Sequence, residues 1–187
     1  MKGGQVYKKL RTKNDQTVVL RSIRWEDLPS LVDFANSLVE DRDIDPDFGI
    51  LLDRKQTLET EADFLGNWMA GVEKGEQVHV VADVDGKLVG NSDVTRGKFN
   101  DEFYHGKLGI ALRRDYRDLG IGAEMMKTLI DESRKLGLKT IELETFATNP
   151  RAIHVYEKVG FKQVGRIPKK IFRKDHHIDI IIMSIEL

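Results

Sequence analysis

Helical and strand patterns follow one another along this chain in an order that few folds accommodate. Thr17 to Ile23 is predicted as a first strand, and two helical patterns follow it. The stretch VHVVADVDGKLVGNSDV then contains two strand-like runs joined by Asp85-Gly86, a strong hairpin signal. A strand over 103–112, a helix ended by Gly137, a strand over 138–146, a short helix and two closing strands complete the order β-α-α-β-β-β-α-β-α-β-β. Because hairpins pair antiparallel and strands joined through one helix pair parallel, we expect an α/β chain with a mixed sheet.

Length and charge limit the classes of protein. The 187 residues correspond to one domain, which we place at 17–187 after a polar N-terminal extension at 1–16. With 30 basic and 31 acidic side chains, the chain lacks the basic excess of most nucleic-acid binders. Cysteine is absent, which excludes disulfides, thiolate nucleophiles and thiolate metal sites. No apolar run approaches a membrane span or a signal-peptide core, so we expect a cytoplasmic protein without nucleic-acid or membrane partners.

Two glycines, Gly120 and Gly122, lie in the turn from the predicted strand ending near Leu112 into the next helix. The first amides of a helix have no internal partners and carry the positive end of its dipole. Glycine removes the Cβ atoms that would keep a phosphate away from these amides. Arg117 is expected to add a positive charge at the same end. This pattern indicates a diphosphate cradle, although a Gly-x-Gly before a helix is also compatible with a plain tight turn.

Other phosphate motifs fit this turn poorly. A P-loop needs Lys-Ser/Thr after its last glycine, and here Ala123-Glu124 follows Gly122. A dinucleotide fingerprint needs a third small residue, and Met125 occupies that position. The remaining pattern is Arg-x-x-Gly-x-Gly over 117–122.

A second motif, NPRAIHVYEKVGF at 149–161, follows the turn after one helix and one strand. The two motifs together resemble the GNAT superfamily of acyl-CoA-dependent N-acetyltransferases, most closely the enzymes acting on protein N termini or amino acids. The resemblance extends from Val18 to the terminal IIIMSIEL. It implies a single GNAT domain with a mostly antiparallel sheet and helices on both faces. It also implies direct transfer of acetyl from acetyl-CoA, as cosubstrate, to a small-molecule or peptide amine, without a metal.

The resemblance assigns residues to the coenzyme. The pyrophosphate is expected to bind the amides of the glycine turn. The pantetheine arm is expected to pair with the strand before that turn, in the way that an added β-strand pairs with a sheet edge. Asn149 matches a cofactor-contacting position, and it is equally well explained as the N-cap of the helix that starts at Pro150. The expected cofactor-binding set is Ile110, Ala111, Leu112, Arg117, Asp118, Leu119, Gly120, Ile121, Gly122, Ala123 and Asn149.

The resemblance also assigns two catalytic residues. Glu144, five residues before Asn149, matches a general-base position, and Tyr156, seven residues after Asn149, matches the general acid that protonates the leaving thiolate. A solvated edge carboxylate and a core aromatic are the structural alternatives. Glu142, and His105 acting through water, are further candidates for the base.

Three questions stay open from the sequence. The acidic loop DRDIDPDFG at 41–49 is either a solvated loop or an attractor of cationic amines, and its spacing does not fit a calcium loop. IPKKIFRKD at 167–175 lacks the tyrosine pair of enzymes devoted to one ribosomal protein, so a strict N-terminal specificity is in doubt. A non-catalytic acyl-CoA-binding module is an alternative function, and a homodimer through the last strand is an expectation by analogy.

Overall fold

The computed structural model describes residues 3–187 and contains one sheet and four α-helices. The helices are α1 (Leu28–Ile44), α2 (Leu58–Glu73), α3 (Ile121–Lys135) and α4 (Pro150–Lys158). The strands are β1 (Val6–Arg11), β2 (Thr17–Arg21), β3 (Gln77–Val84), β4 (Lys87–Arg96), β5 (His105–Leu112), β6 (Thr140–Phe146), β7 (Lys162–Arg173) and β8 (His176–Glu186). Their order in the sheet is β1-β2-β3-β4-β5-β6-β8-β7.

The expected fold class is confirmed: the eight-stranded sheet is mixed and mostly antiparallel, and only the β5–β6 pair is parallel. Neighbouring residues of β3 show that both faces are covered. Val80 packs into the cluster that contains Met125 and Leu129 of α3, whereas Val81 packs into the cluster with Leu31 of α1 and other residues of α1 and α2. The core therefore consists of two layers, one on each side of the sheet.

The expectation of a loose polar extension at 1–16 is wrong for residues 6–11, which form β1 and pair antiparallel with β2. The sequence VYKKLR shows no strand-like alternation of apolar and polar residues, because β1 is an edge strand with mostly exposed side chains. Lysines are common on edge strands because they discourage pairing with other chains. The strand expected from Phe103 begins at His105 instead, after a short 3-10 turn at Asn100–Glu102.

β5 and β6 separate part-way along their length, and this split positions the site. They pair only between 105–107 and 140–142, whereas both strands continue for several residues beyond that point. β5 remains paired with β4 as far as Leu112, and β6 remains paired with β8 as far as Phe146. The backbone edges of 108–112 and 143–146 that face each other are consequently left without strand partners.

Candidate active site

A cavity of about 510 Å³ occupies the split between β5 and β6. Its walls are Leu108 to Leu112 of β5, Leu143 to Thr145 of β6, the start of α3, one side of α4, and the loop between α1 and α2. The volume lies within the usual range of about 300–1,000 Å³ for small-molecule sites. The expected cofactor-binding residues and the two assigned catalytic residues all line it except Leu119 and Ile121. The Ile121 side chain is fully buried in the core and the Leu119 side chain packs against that core, so only their backbone amides are available to a ligand.

The amino terminus of α3 presents unpaired amides to this cavity. Gly120 is the N-cap residue with φ 86°, in the left-handed region that glycine adopts without strain, and no side chain caps the helix. The first helical hydrogen bond is from the Glu124 amide to the Gly120 carbonyl, at 3.3 Å. Within residues 3–187, the amides of 118–123 donate no hydrogen bond. This segment therefore has the free donors that bind an anion.

Arg117 differs from its expected role in two ways. Its amide closes the 3-10 turn of Arg114–Tyr116 by donating to the Arg114 carbonyl, at 3.2 Å, so the free amides begin at Asp118. Its guanidinium donates to the Leu112 carbonyl at 3.1 Å and to the Asp41 carboxylate at 2.5 Å. Burial lowers the pKa of Arg117, and Asp41 opposes that shift. The charge of Arg117 is thus taken up by a neighbour on α1 instead of being aimed at the glycine turn.

Three basic residues that sequence reasoning missed also line the cavity: Lys13, Arg151 and Lys158. Arg151, in the first turn of α4, forms an ion pair with Asp118 across the glycine turn. Lys13 comes from the turn between β1 and β2, which was missed because β1 itself was not predicted. Arg151 was detectable, since it lies two residues after Asn149, the N-cap of α4 that the sequence already assigned to the cofactor.

Glu144 lines the cavity and is held between two lysines. Its carboxylate accepts from Lys107 at 3.2 Å and from Lys170 at 2.5 Å. The hydrogen bond from Lys170, followed by the contributions of Lys107, lowers the pKa of Glu144. Glu144 is therefore ionised at neutral pH, and the same two lysines make it a weak base.

Tyr156 projects from α4 into the cavity on the opposite side of the sheet. Its ring packs against Phe161, with centroids 6.4 Å apart. Burial raises the pKa of Tyr156 to about 12, and no hydrogen bond to its hydroxyl contributes to this shift. Among the described residues the hydroxyl has no partner, so it is a neutral donor available to whatever occupies the cavity.

The other predicted site residues, Asn149, His105 and Glu142, differ in whether they line the cavity. The Asn149 side chain accepts from the Ala152 amide at 3.1 Å, so its N-cap role is observed, and it also lines the cavity. The His105 ring bonds the Thr140 hydroxyl at 2.9 Å and lies 3.6 Å from Glu142. Neither His105 nor Glu142 lines the cavity, so Glu144 is the one of the three candidates for the base that does.

The acidic loop contributes a wall of the cavity. Asp45, Phe48, Gly49 and Ile50 line it, and Asp41 is buried against Arg117. The Asp45 carboxylate accepts from the Asp47 amide at 3.0 Å, which shapes the turn. Within residues 3–187 no group of three or more His, Asp or Glu side chains is arranged to hold a metal ion. None of the described helices is long and apolar enough to cross a membrane.

Solved structures share this architecture. An acetyltransferase of the GNAT family from Streptococcus pneumoniae superposes with a TM-score of 0.80 at 23% identity, covering 91% of this chain and 99% of that one. An acetyltransferase from Salmonella typhimurium, solved with its cofactor acetyl-CoA, gives a TM-score of 0.78 at 17% identity over 90% of this chain and 93% of that one. At these identities the likeness establishes the fold alone. This chain has the GNAT fold, in which the sheet is split between β5 and β6.

The sequence comparison identifies the family. The sequence model of the acetyltransferase (GNAT) family matches residues 36–161, and the chain belongs to this family. A probable N-acetyltransferase, camello, of Xenopus tropicalis is 38% identical over 84 residues, or 44% of this chain and 37% of that protein. The ribosomal protein bS18-alanine N-acetyltransferase of Escherichia coli K12 is 36% identical over 78 residues, or 42% of this chain and 53% of that protein. The matched regions thus span about half the length of these relatives or less.

Proposed function

We propose that this protein is an acetyl-CoA-dependent N-acetyltransferase that moves acetyl directly to a primary amine. The observation that carries the proposal is the row of free amides at 118–123, which opens into the same cavity as the unpaired edge of β5 and the Tyr156 hydroxyl. Family membership and the likeness to a structure solved with acetyl-CoA support the identity of the donor.

The cavity supplies a place for each part of the coenzyme. The diphosphate is assigned to the amides of Asp118 to Ala123, where the dipole of α3 favours negative charge, with Arg151 beside them. The amide-rich pantetheine arm is assigned to the free edge of 110–112 as an added strand. A backbone amide near Leu112 is the candidate donor to the thioester oxygen, a contribution that is worth about 3–4 kcal/mol in comparable enzymes.

In the proposed reaction the amine nitrogen attacks the thioester carbonyl carbon, a C–N bond forms, and the C–S bond breaks. The proton leaving the nitrogen goes to Glu144, directly or through water. The departing sulfur leaves as a thiolate that accepts a hydrogen bond from the Tyr156 hydroxyl and takes its proton from solvent. The two groups lie on opposite faces of the sheet and meet at the split between β5 and β6. The acceptor is thus expected to enter from the Glu144 side.

The low basicity of Glu144 favours acceptors that need little help to lose a proton. An α-amine with a pKa near 8 is about one-tenth neutral at pH 7, whereas a lysine side chain is roughly one-thousandth neutral or less. We therefore propose amino acids or peptide N termini as acceptors. The named activity of the Escherichia coli relative, on the alanine of a ribosomal protein, agrees with an α-amine acceptor.

Two glycines that flank α3 provide a matched test of coenzyme binding. Gly120 and Gly137 lie at opposite ends of the helix with φ 86° and 81°, and an added Cβ meets nothing within 4 Å at either position. Alanine at either position is therefore strained to a similar degree. By calorimetry we expect Gly120→Ala to weaken acetyl-CoA binding at least tenfold and Gly137→Ala to leave it within twofold. Equal effects of the two variants would contradict the assignment of the diphosphate to the glycine turn.

Turnover is tested by thiol release from acetyl-CoA with amino acids, polyamines and short peptides, followed by mass spectrometry of the product. Release with α-amines ahead of polyamines is the expected result. Binding of acetyl-CoA without release on any amine would support the non-catalytic binding module instead. Failure of the wild-type protein to bind acetyl-CoA would overturn the proposed function altogether.

A further inference from the structure

The hairpin between β7 and β8 ends in a buried arginine that contacts a distant loop. Arg173 is the last residue of β7, and the turn residues after it, Lys174 and Asp175, have φ values of 47° and 64°. Only 6% of the Arg173 surface is exposed, although it belongs to a hairpin tip. A buried guanidinium needs compensating partners, since removing its charge from water is costly.

Backbone carbonyls of the loop between α1 and α2 provide that compensation. Arg173 donates through Nη1 to the carbonyls of Pro46 at 3.1 Å and Phe48 at 2.8 Å, and through Nη2 to that of Ile50 at 2.5 Å. Its guanidinium also lies 4.8 Å from the centroid of the Phe146 ring. Within residues 3–187 no carboxylate forms an ion pair with it, and burial lowers its pKa. The conformation of 46–50 and the burial of this charge therefore depend on each other.

The same loop segment forms a wall of the cavity. Phe48, Gly49 and Ile50 line it on the side of the sheet where Glu144 and Phe146 point. A Cβ built on Gly49 would lie 3.7 Å from the Phe146 ring, so the loop packs directly on β6. This side is opposite to α3 and α4, which carry the free amides and Tyr156. The segment therefore borders the acceptor end of the cavity, on the face of the sheet opposite to the free amides.

We propose that Arg173 is a positioning residue that holds 46–50 as a preformed acceptor wall and thereby sets the affinity for the amine. This inference rests on the proposed function, because it names the acceptor end of the same site. A guanidinium can serve three carbonyls at once because its donors lie in a rigid plane, whereas an ammonium is a compact point charge. Lysine at this position keeps the charge and loses the planar fork.

The test compares Arg173→Lys with Lys174→Ala, its neighbour on the same hairpin. Lys174 is exposed, and within residues 3–187 its side chain donates only to the Asp43 carbonyl, at 2.8 Å, outside the cavity wall. For Arg173→Lys we expect KM for the acceptor to rise about tenfold to a hundredfold, the scale of a misplaced site. The acetyl-CoA Kd is expected to stay within twofold. For Lys174→Ala both constants are expected to be unchanged.

Hydrogen exchange provides a readout that does not depend on activity. The amides of Phe48 and Ile50 donate within the loop, to the carbonyls of Asp45 at 3.1 Å and Phe48 at 2.8 Å. In Arg173→Lys these amides should exchange at least tenfold faster, while those of β3, in the centre of the sheet, keep their protection. Guanidinium ion at millimolar concentration should restore the acceptor KM of Arg173→Ala, since it refills the vacated position.

The outcomes separate the two proposals. If wild-type protein turns over an amine, and Arg173→Lys keeps the wild-type acceptor KM and loop exchange, the positioning role is overturned. If the wild-type protein does not bind acetyl-CoA, the proposed function fails, and exchange in the loop still decides whether Arg173 holds it. Should Arg173→Lys raise the acetyl-CoA Kd as much as the acceptor KM, the effect is global, and the inference fails.

Discussion

Tyr156→Phe removes one oxygen atom from the proposed site and disturbs little else. Because the hydroxyl has no partner among the described residues, its loss leaves no broken hydrogen bond behind. The phenylalanine ring keeps the contact with Phe161 at the same position. We expect a change in unfolding free energy of less than about 1 kcal/mol, since unpaired groups contribute little to stability.

The expected loss of turnover follows from the pKa of the hydroxyl. Because the pKa of Tyr156 is raised to about 12 and that of a thiol is near 8.5, proton transfer from the hydroxyl to the thiolate is uphill by about 5 kcal/mol in the resting site. The hydroxyl is thus expected to stabilise the departing sulfur mainly as a hydrogen-bond donor to a developing charge. Such bonds contribute about 1.5–3 kcal/mol, which corresponds to a loss in kcat of roughly tenfold to 160-fold.

Stopped-flow thiol release under saturating substrates measures this loss, and Tyr7→Phe is the matched control. Burial also raises the pKa of Tyr7 to about 12, but Tyr7 belongs to β1 and does not line the cavity. In the wild type, Tyr156 stays protonated below its raised pKa, so it should cause no alkaline loss of kcat below about pH 10. A Tyr156→Phe variant with unchanged kcat and unchanged acetyl-CoA affinity would refute the assignment.

Two further predictions concern the Glu144 carboxylate in catalysis and the buried Arg21–Asp27 ion pair in stability. Lys170→Met should let the lowered pKa of Glu144 rise, so that the fall in kcat/KM on acidification begins at a higher pH. Glu144→Gln should abolish this acidic fall altogether. If kcat/KM measured from pH 4 to 8 is the same in the wild type and both variants, Glu144 is excluded as the base. Asp27→Ala should destabilise the fold by about 3–5 kcal/mol in urea, because the buried Arg21 guanidinium loses two charged hydrogen bonds of 2.7 Å and keeps Asp83 as its remaining carboxylate partner. An exposed pair such as that of Arg11 should contribute less than about 1 kcal/mol, and equal effects would contradict the argument.

Sequence reasoning succeeded where local patterns decide the structure. The order of helices and strands from Thr17 onward follows from periodicity and turn residues, and it matches the structure. The glycine turn was also readable, because the left-handed φ of Gly120 and the uncapped start of α3 are local properties. β1 was missed because an edge strand with mostly exposed side chains has no apolar alternation to detect.

Long-range contacts account for the rest of the misses. The charge of Arg117 is taken up by Asp41, 76 residues away, and no local pattern distinguishes that pairing from a phosphate contact. Arg173 bonds carbonyls 123 to 127 residues away, so nothing around it in the sequence separates it from the exposed basic residues nearby. Such residues are defined by the tertiary structure, in which β7 and the loop after α1 approach the same strand, β6.

One loop residue, Phe48, connects both ends of the proposed site. Its ring lies 4.0 Å beneath the guanidinium of Arg117, which in turn bonds the carbonyl of Leu112 at the end of the free β5 edge. Its own carbonyl accepts from Arg173, on the hairpin that closes the acceptor side. Phe48 therefore links the donor edge to the acceptor wall, together with the Arg117–Asp41 ion pair and the packing of Gly49 on the Phe146 ring. Because direct transfer requires the amine within about 3–3.5 Å of the thioester carbon, a rigid reference of this kind is what a site without a covalent intermediate needs.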